Sequence, residues 1–155
     1  ARQIIGAALW AQGELQPARI SVGRGKVTDV GANRVERSGP FDPDLVVLRV
    51  DTERAADPLA ILVNYGCHPT VMGAENRLIT GDLAGAVRMA LRQVYPSVVT
   101  LYANGASGDV STRFTRREQT FAEVRRLGLI VAAEALHALQ TATPLPQVVS
   151  PMTRA

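Results

Sequence analysis

Apolar and polar positions change period several times along this chain, and each change marks an element. Ile4 to Trp10 is apolar enough for a short helix or a buried strand before Gly13 and Pro17 interrupt it. In ARISVGRGKVTDVGANR, Ile20, Val22, Val27 and Val30 are set around Gly23, Gly25 and Gly31, which predicts a bent or bulged strand pair. RVERSGPFDPD, with two prolines and a glycine, reads as an irregular surface loop that could act as a lid. LVVLRVDT and PLAILVNYGCH form an antiparallel hairpin across ERAAD, the second strand apolar enough for burial on both faces. TGDLAGAVRMALRQVYP starts a helix with Thr80 or Asp82 as cap and ends it near Tyr95 and Pro96; VVTLYA returns as a strand. A last helix runs from about Gln119 to Thr141, and its apolar middle, LIVAAEALHAL, belongs in a core.

Strand pair, hairpin, helix, strand and helix in that order specify an α/β layered domain with a mixed β-sheet flanked by helices. A length of 155 residues suits one domain. With 46% hydrophobic and 20% charged residues the composition is globular, and no run has the apolar length of a membrane span. The net charge is +3, and Lys26 is the sole lysine among 17 basic residues. The arginines are spread along the chain without interleaved aromatics, which argues against nucleic acid as a partner. Cys67 has no second cysteine to pair with and leaves the compartment open. The chain opens on Ala1 rather than methionine, without a signal-like start, so processing or truncation is expected.

Chemistry concentrates in two loops. His68 ends an apolar strand and precedes Pro69, whose ring pushes it away from helical geometry; a histidine there is either structural or a ligand. His137, on the amphipathic end of the last helix, reads as a surface or satisfied helical histidine. Ser111 lies in NGASGDVSTRFTRR, a small, polar, glycine-rich turn that becomes abruptly basic. Its backbone N–H groups could cradle an oxyanion or phosphate, or the serine could merely cap the next segment of chain. The turn is neither a phosphate loop nor a Gly-x-Ser-x-Gly nucleophile elbow. Asp82 and Asp109, before a helix and inside a tight turn, are suited to fixing loops rather than reacting.

NYGCHPTVMG, TGDLAGA and NGASGDVS, with ANR upstream, together resemble the neutral/alkaline non-lysosomal ceramidase family from about Ile20 to Ser111. That resemblance implies that residues 1–155 are the central portion of a larger catalytic domain, an incomplete piece of it. By position it assigns His68 as a zinc ligand, Ser111 as the essential serine and Arg34 as an arginine lining the substrate site. The family's other metal ligands come from an upstream His-x-His segment and from a downstream glutamate and tyrosine, none of which is present here. Thr112-Arg113 stands where the family has Pro-Asn.

The implied activity is zinc-dependent cleavage of the N-acyl bond of ceramide-like sphingolipids to a fatty acid and a sphingoid base. Zinc suits an unreactive amide because it polarises the carbonyl and acidifies bound water. The implied partners are a lipid-like substrate, the remaining segments of the parent domain, and a membrane surface; the family pattern places such a protein outside the cell or at a membrane surface. Two alternatives stand beside this: a related zinc amidohydrolase for another N-acyl amine, and a non-catalytic family fragment serving as a folding or interaction module.

Overall fold

A computed structural model describes residues 2–53 and 55–146. Its elements are α1 (Arg2–Gly13), β1 (Arg19–Lys26), β2 (Ala32–Asn33), β3 (Asp44–Asp51), β4 (Ala60–Tyr65), α2 (Asp82–Val94), β5 (Val99–Asn104), β6 (Val110–Ser111), α3 (Phe121–Gln140) and β7 (Thr143–Pro144). Five strands form one sheet in the order β5-β4-β3-β1-β7, and β2 and β6 form a separate two-stranded ladder. β3 and β4 make the expected hairpin, with Val47 opposite Val63, while β5 runs parallel to β4 with Tyr102 beside Val63. Reaching β5 in parallel requires a crossover, which α2 supplies.

Side-chain alternation divides the sheet into two faces. Leu45 and Val47 of β3 and Ile61, Val63 and Tyr65 of β4 point toward α2 and α3 and are fully buried. Leu83, Val87 and Leu91 of α2 and Leu127, Val131 and Ala135 of α3 complete this core. The two helices approach closely at Gly128, where a Cβ would lie 2.4 Å from the Ala86 side chain. On the opposite face Val22, Leu48, Leu62 and Leu101 line up across four strands. That face stays partly or largely exposed among the described residues, so β4 is buried fully on one side only, against the expectation for both.

Other expectations change in detail. The stretch around Gly23 and Gly31 does not pair with itself: β1 pairs with β3 and β7, and β2 with β6. For β1 the longer partner wins, because β3 offers it an eight-residue ladder. Ile4 to Trp10 is helical, but α1 buries none of its residues. The N-cap of α2 is Gly81, without a side-chain cap bond; Thr80 Oγ1 instead accepts from the Asp82 N–H at 2.9 Å. α3 begins at Phe121, capped by Thr120, whose side chain accepts from the Glu123 N–H. One stripe of its apolar middle is buried, whereas Leu129 remains half-exposed.

Candidate active site

β4 and β5 are parallel, so both deliver the chain to the same edge of the sheet, and the loops beyond their carboxyl ends meet there. In open α/β sheets this is where ligands settle. β4 runs on through Gly66 and Cys67 to His68, and β5 through the glycine turn to Ser111. The His68 N–H donates to the Val110 carbonyl at 2.9 Å, and His68 and Ser111 form a parallel bridge. On the other side of Ser111 lies Ala32, its partner in the β2–β6 ladder, and the Arg34 N–H donates to the Asp109 carbonyl at 2.7 Å. The turn with Ser111 is thus clasped between the segments that carry His68 and Arg34, and backbone hydrogen bonds bring together all three residues singled out in the sequence.

Side chains outside those three lock the junction. Tyr65, at the end of β4, is fully buried; its hydroxyl accepts from the Gly31 N–H at 2.9 Å and donates to the Val27 carbonyl at 3.2 Å. A Cβ at Gly31 would lie 2.6 Å from that hydroxyl, so glycine is what admits the contact. Burial holds the Tyr65 phenol well above its ordinary range, and it stays a neutral donor. Asp82 reaches back from the start of α2 to the His68 loop. Its carboxylate accepts from the N–H groups of Val71 (3.0 Å), Met72 (2.9 Å) and Leu83 (2.7 Å). Asp82 holds φ 45°, a left-handed conformation that aspartate tolerates better than most residues. The expectation that it fixes a loop describes this directly.

A third anchor holds the basic segment after Ser111. Glu123 accepts from the Arg117 N–H at 2.9 Å and from two nitrogens of the Arg126 guanidinium at 2.7 and 2.8 Å. The Arg126 hydrogen bonds lower the Glu123 carboxyl to about 2. Cys67, buried beside the junction, has its thiol pushed up to about 12 by burial and by the nearby Asp82 charge, so it is a packing group at neutral pH. His137 is exposed, 3.9 Å from Glu134, as a surface histidine should be.

Ser111 is 5% exposed, and its Oγ accepts from the Arg113 N–H at 3.2 Å. Together with Arg34, Thr70, Met72, Arg113 and Arg116 it lines an open depression of about 680 Å³. His68 is not among the walls of that depression. None of the described residues forms a hydrogen bond to its imidazole, which leaves both ring nitrogens available for another partner. The described residues contain no group of three histidine, cysteine, aspartate or glutamate side chains able to hold a metal ion. His68 can supply one ligand, so a zinc site does not fit this segment by itself.

Fold and junction together define an α/β domain that gathers a serine, a histidine and an arginine beyond the carboxyl ends of two parallel strands. Solved structures share this fold. The chain superposes on a ceramidase complexed with C2 with a TM-score of 0.71 at 21% identity, over 84% of this chain and 23% of that one. It superposes on the neutral ceramidase from Pseudomonas aeruginosa with a TM-score of 0.74 at 21% identity, over 88% of this chain and 25% of that one. The resemblance read from the motifs is borne out in the fold, and the chain spans about a quarter of the length of these structures. No protein-family profile matches the sequence, and no curated protein does.

Proposed function

We propose that this chain is the central portion of an amidohydrolase that cleaves the N-acyl bond of ceramide-like lipids, releasing a fatty acid and a sphingoid base. The observation that carries the reading is the junction itself, in which His68 bridges Ser111 and the Arg34 N–H bonds the same turn at Asp109, beyond the carboxyl ends of two parallel strands. The shared fold with a ceramidase complexed with C2 supports the choice of an N-acyl lipid.

Each residue has a role within this reading. Ser111 Oγ, already accepting from a backbone N–H, keeps its own proton to donate toward the reacting acyl group. No histidine or carboxylate of the described residues is hydrogen-bonded to that hydroxyl, which favours a hydrogen-bonding role over a serine nucleophile, since the latter needs an adjacent base. Arg34 holds a polar group of the substrate. Zinc dependence belongs to the longer catalytic domain, with His68 as one ligand and the remaining ligands outside this segment. Contact with a membrane surface would bring such a domain to its lipid substrate. Among the described residues, no helix is long and apolar enough to cross a membrane.

The test is fatty-acid release from a short-chain ceramide by the longest natural form of the protein. The native protein should release it, and Ser111→Ala should lower the rate about a hundredfold or more. Absence of release from any N-acyl amide would leave the non-catalytic reading, a folding or interaction module, in its place.

A further inference from the structure

The walls of the depression beside Ser111 carry more positive charge than the single Arg34 contact of the hydrolase reading uses. Arg34, Arg113 and Arg116 all line it, and no aspartate or glutamate does. None of the three forms an ion pair with a carboxylate among the described residues, whereas Arg49 and Arg126 both do. Guanidinium groups keep their charge throughout the physiological pH range, so this wall is permanently cationic.

Two of the arginines are also held in place by their side chains. Arg116 Nη1 donates to the Thr70 carbonyl at 2.8 Å, and Arg113 Nη1 reaches the Arg34 carbonyl at 3.4 Å. The Arg113 guanidinium lies 5.4 Å from the centre of the Phe114 ring. Each anchor uses one of five N–H donors and leaves the rest for a ligand. The backbone beneath them is fixed as well, because Glu123 ties Arg117 and the Thr112 carbonyl accepts from the N–H groups of Thr115 and Arg116. Like charges gathered around one concavity repel each other, and an anion between them relieves that repulsion while matching the fork geometry of guanidinium.

We infer that the depression is an anion subsite, and that the preferred substrate is an N-acyl amide whose amine half carries a carboxylate or phosphate. The inference rests on the hydrolase reading for the amide and adds the chemistry of the group released with the amine. Ser111 shares the cavity with the three arginines, so the anion is recognised beside the scissile bond.

Equilibrium binding to the longest natural form carrying Ser111→Ala, in which turnover of the probes is slowed, tests this with two matched pairs. Short-chain ceramide is compared with its 1-phosphate, and N-lauroylethanolamine with N-lauroylglycine. The anionic member of at least one pair should bind about tenfold more tightly than its neutral partner, and that preference should shrink as salt is raised. Selectivity in one pair alone assigns phosphate or carboxylate. Adding Arg113→Gln and Arg116→Gln should reduce the preference to near unity, with the melting temperature recorded alongside; the matched-pair comparison and its salt dependence require neither arginine variant. Equal binding within both pairs overturns the inference, and so does a preference that survives the double arginine change. Charge-selective binding, with the native protein cleaving none of the four probes, supports the subsite and removes the hydrolase reading. Cleavage of the neutral amides without charge selectivity in binding does the reverse.

Discussion

The sheet centre and the loop junction at its edge are built from the same chain by different forces. Beneath α2 and α3, Leu45, Val47, Ile61 and Val63 are packed without exposure, and their contribution is apolar burial, which is non-directional and spread over many contacts. At the junction His68, Ser111 and Arg34 are positioned by directional bonds: backbone pairs, the Tyr65 hydroxyl, and the carboxylates of Asp82 and Glu123. Tyr65 belongs to both regions, its ring in the core and its hydroxyl on Gly31. Burial sets whether the domain folds, and a small number of polar contacts sets where the three candidate residues sit. Disturbing the two kinds of contact should therefore give different signatures.

Leu127→Ala, in the covered core, should have the largest effect on stability, about 2–5 kcal/mol, because the removed methyls leave a cavity between α2, α3 and the sheet. Denaturant unfolding measures it, and ligand affinity of the remaining folded protein should hold. Asp82→Ala removes an acceptor from three N–H groups and should cost about 2–3 kcal/mol. Unlike the core change, it should raise amide exchange at Val71 and Met72 well above the global rate. Tyr65→Phe keeps the ring in place and strips the hydroxyl from Gly31, for about 1–2 kcal/mol. Exchange at Gly31 reports the loss, and binding at the neighbouring depression should weaken more than stability alone accounts for.

Glu123→Gln is the smallest of these, about 1 kcal/mol at neutral pH, since Arg126 is partly exposed. Its pH dependence is distinctive. The folded-state carboxyl lies at about 2, below its ordinary 4.5, so its stabilisation is complete above about 4.5 and disappears as pH falls toward 2. The difference in melting temperature between Glu123→Gln and the native protein should narrow across that window. A constant difference would mean that Glu123 contributes by packing instead of charge.

The same division decides what the sequence made legible. The β3–β4 hairpin, α2, β5 and α3 follow from period and apolar runs, and the mixed sheet follows from their order. The short ladder of β2 with β6 has no such signature. Ala32 meets Ser111 because Tyr65 pins Gly31, and a tyrosine hydroxyl on a distant backbone N–H leaves no period to read. α1 shows the converse: its apolar residues predict a helix, yet Ile4 and Trp10 remain 76% and 75% exposed, since period marks a face without naming what covers it. Motif resemblance singles out His68, Ser111 and Arg34, whose backbone segments the fold brings together, whereas the basic run after Ser111 acquires meaning only when Arg113 and Arg116 are seen to share a cavity with Arg34.

The most direct test of the central claim is zinc content measured beside hydrolysis in the longest natural form, as native protein, His68→Ala and Ser111→Ala. Both variants should lose most hydrolysis, while zinc should be retained in Ser111→Ala and lost from His68→Ala. Equal loss of zinc from the two variants, or full retention in His68→Ala, would contradict the roles assigned to the two residues at this junction.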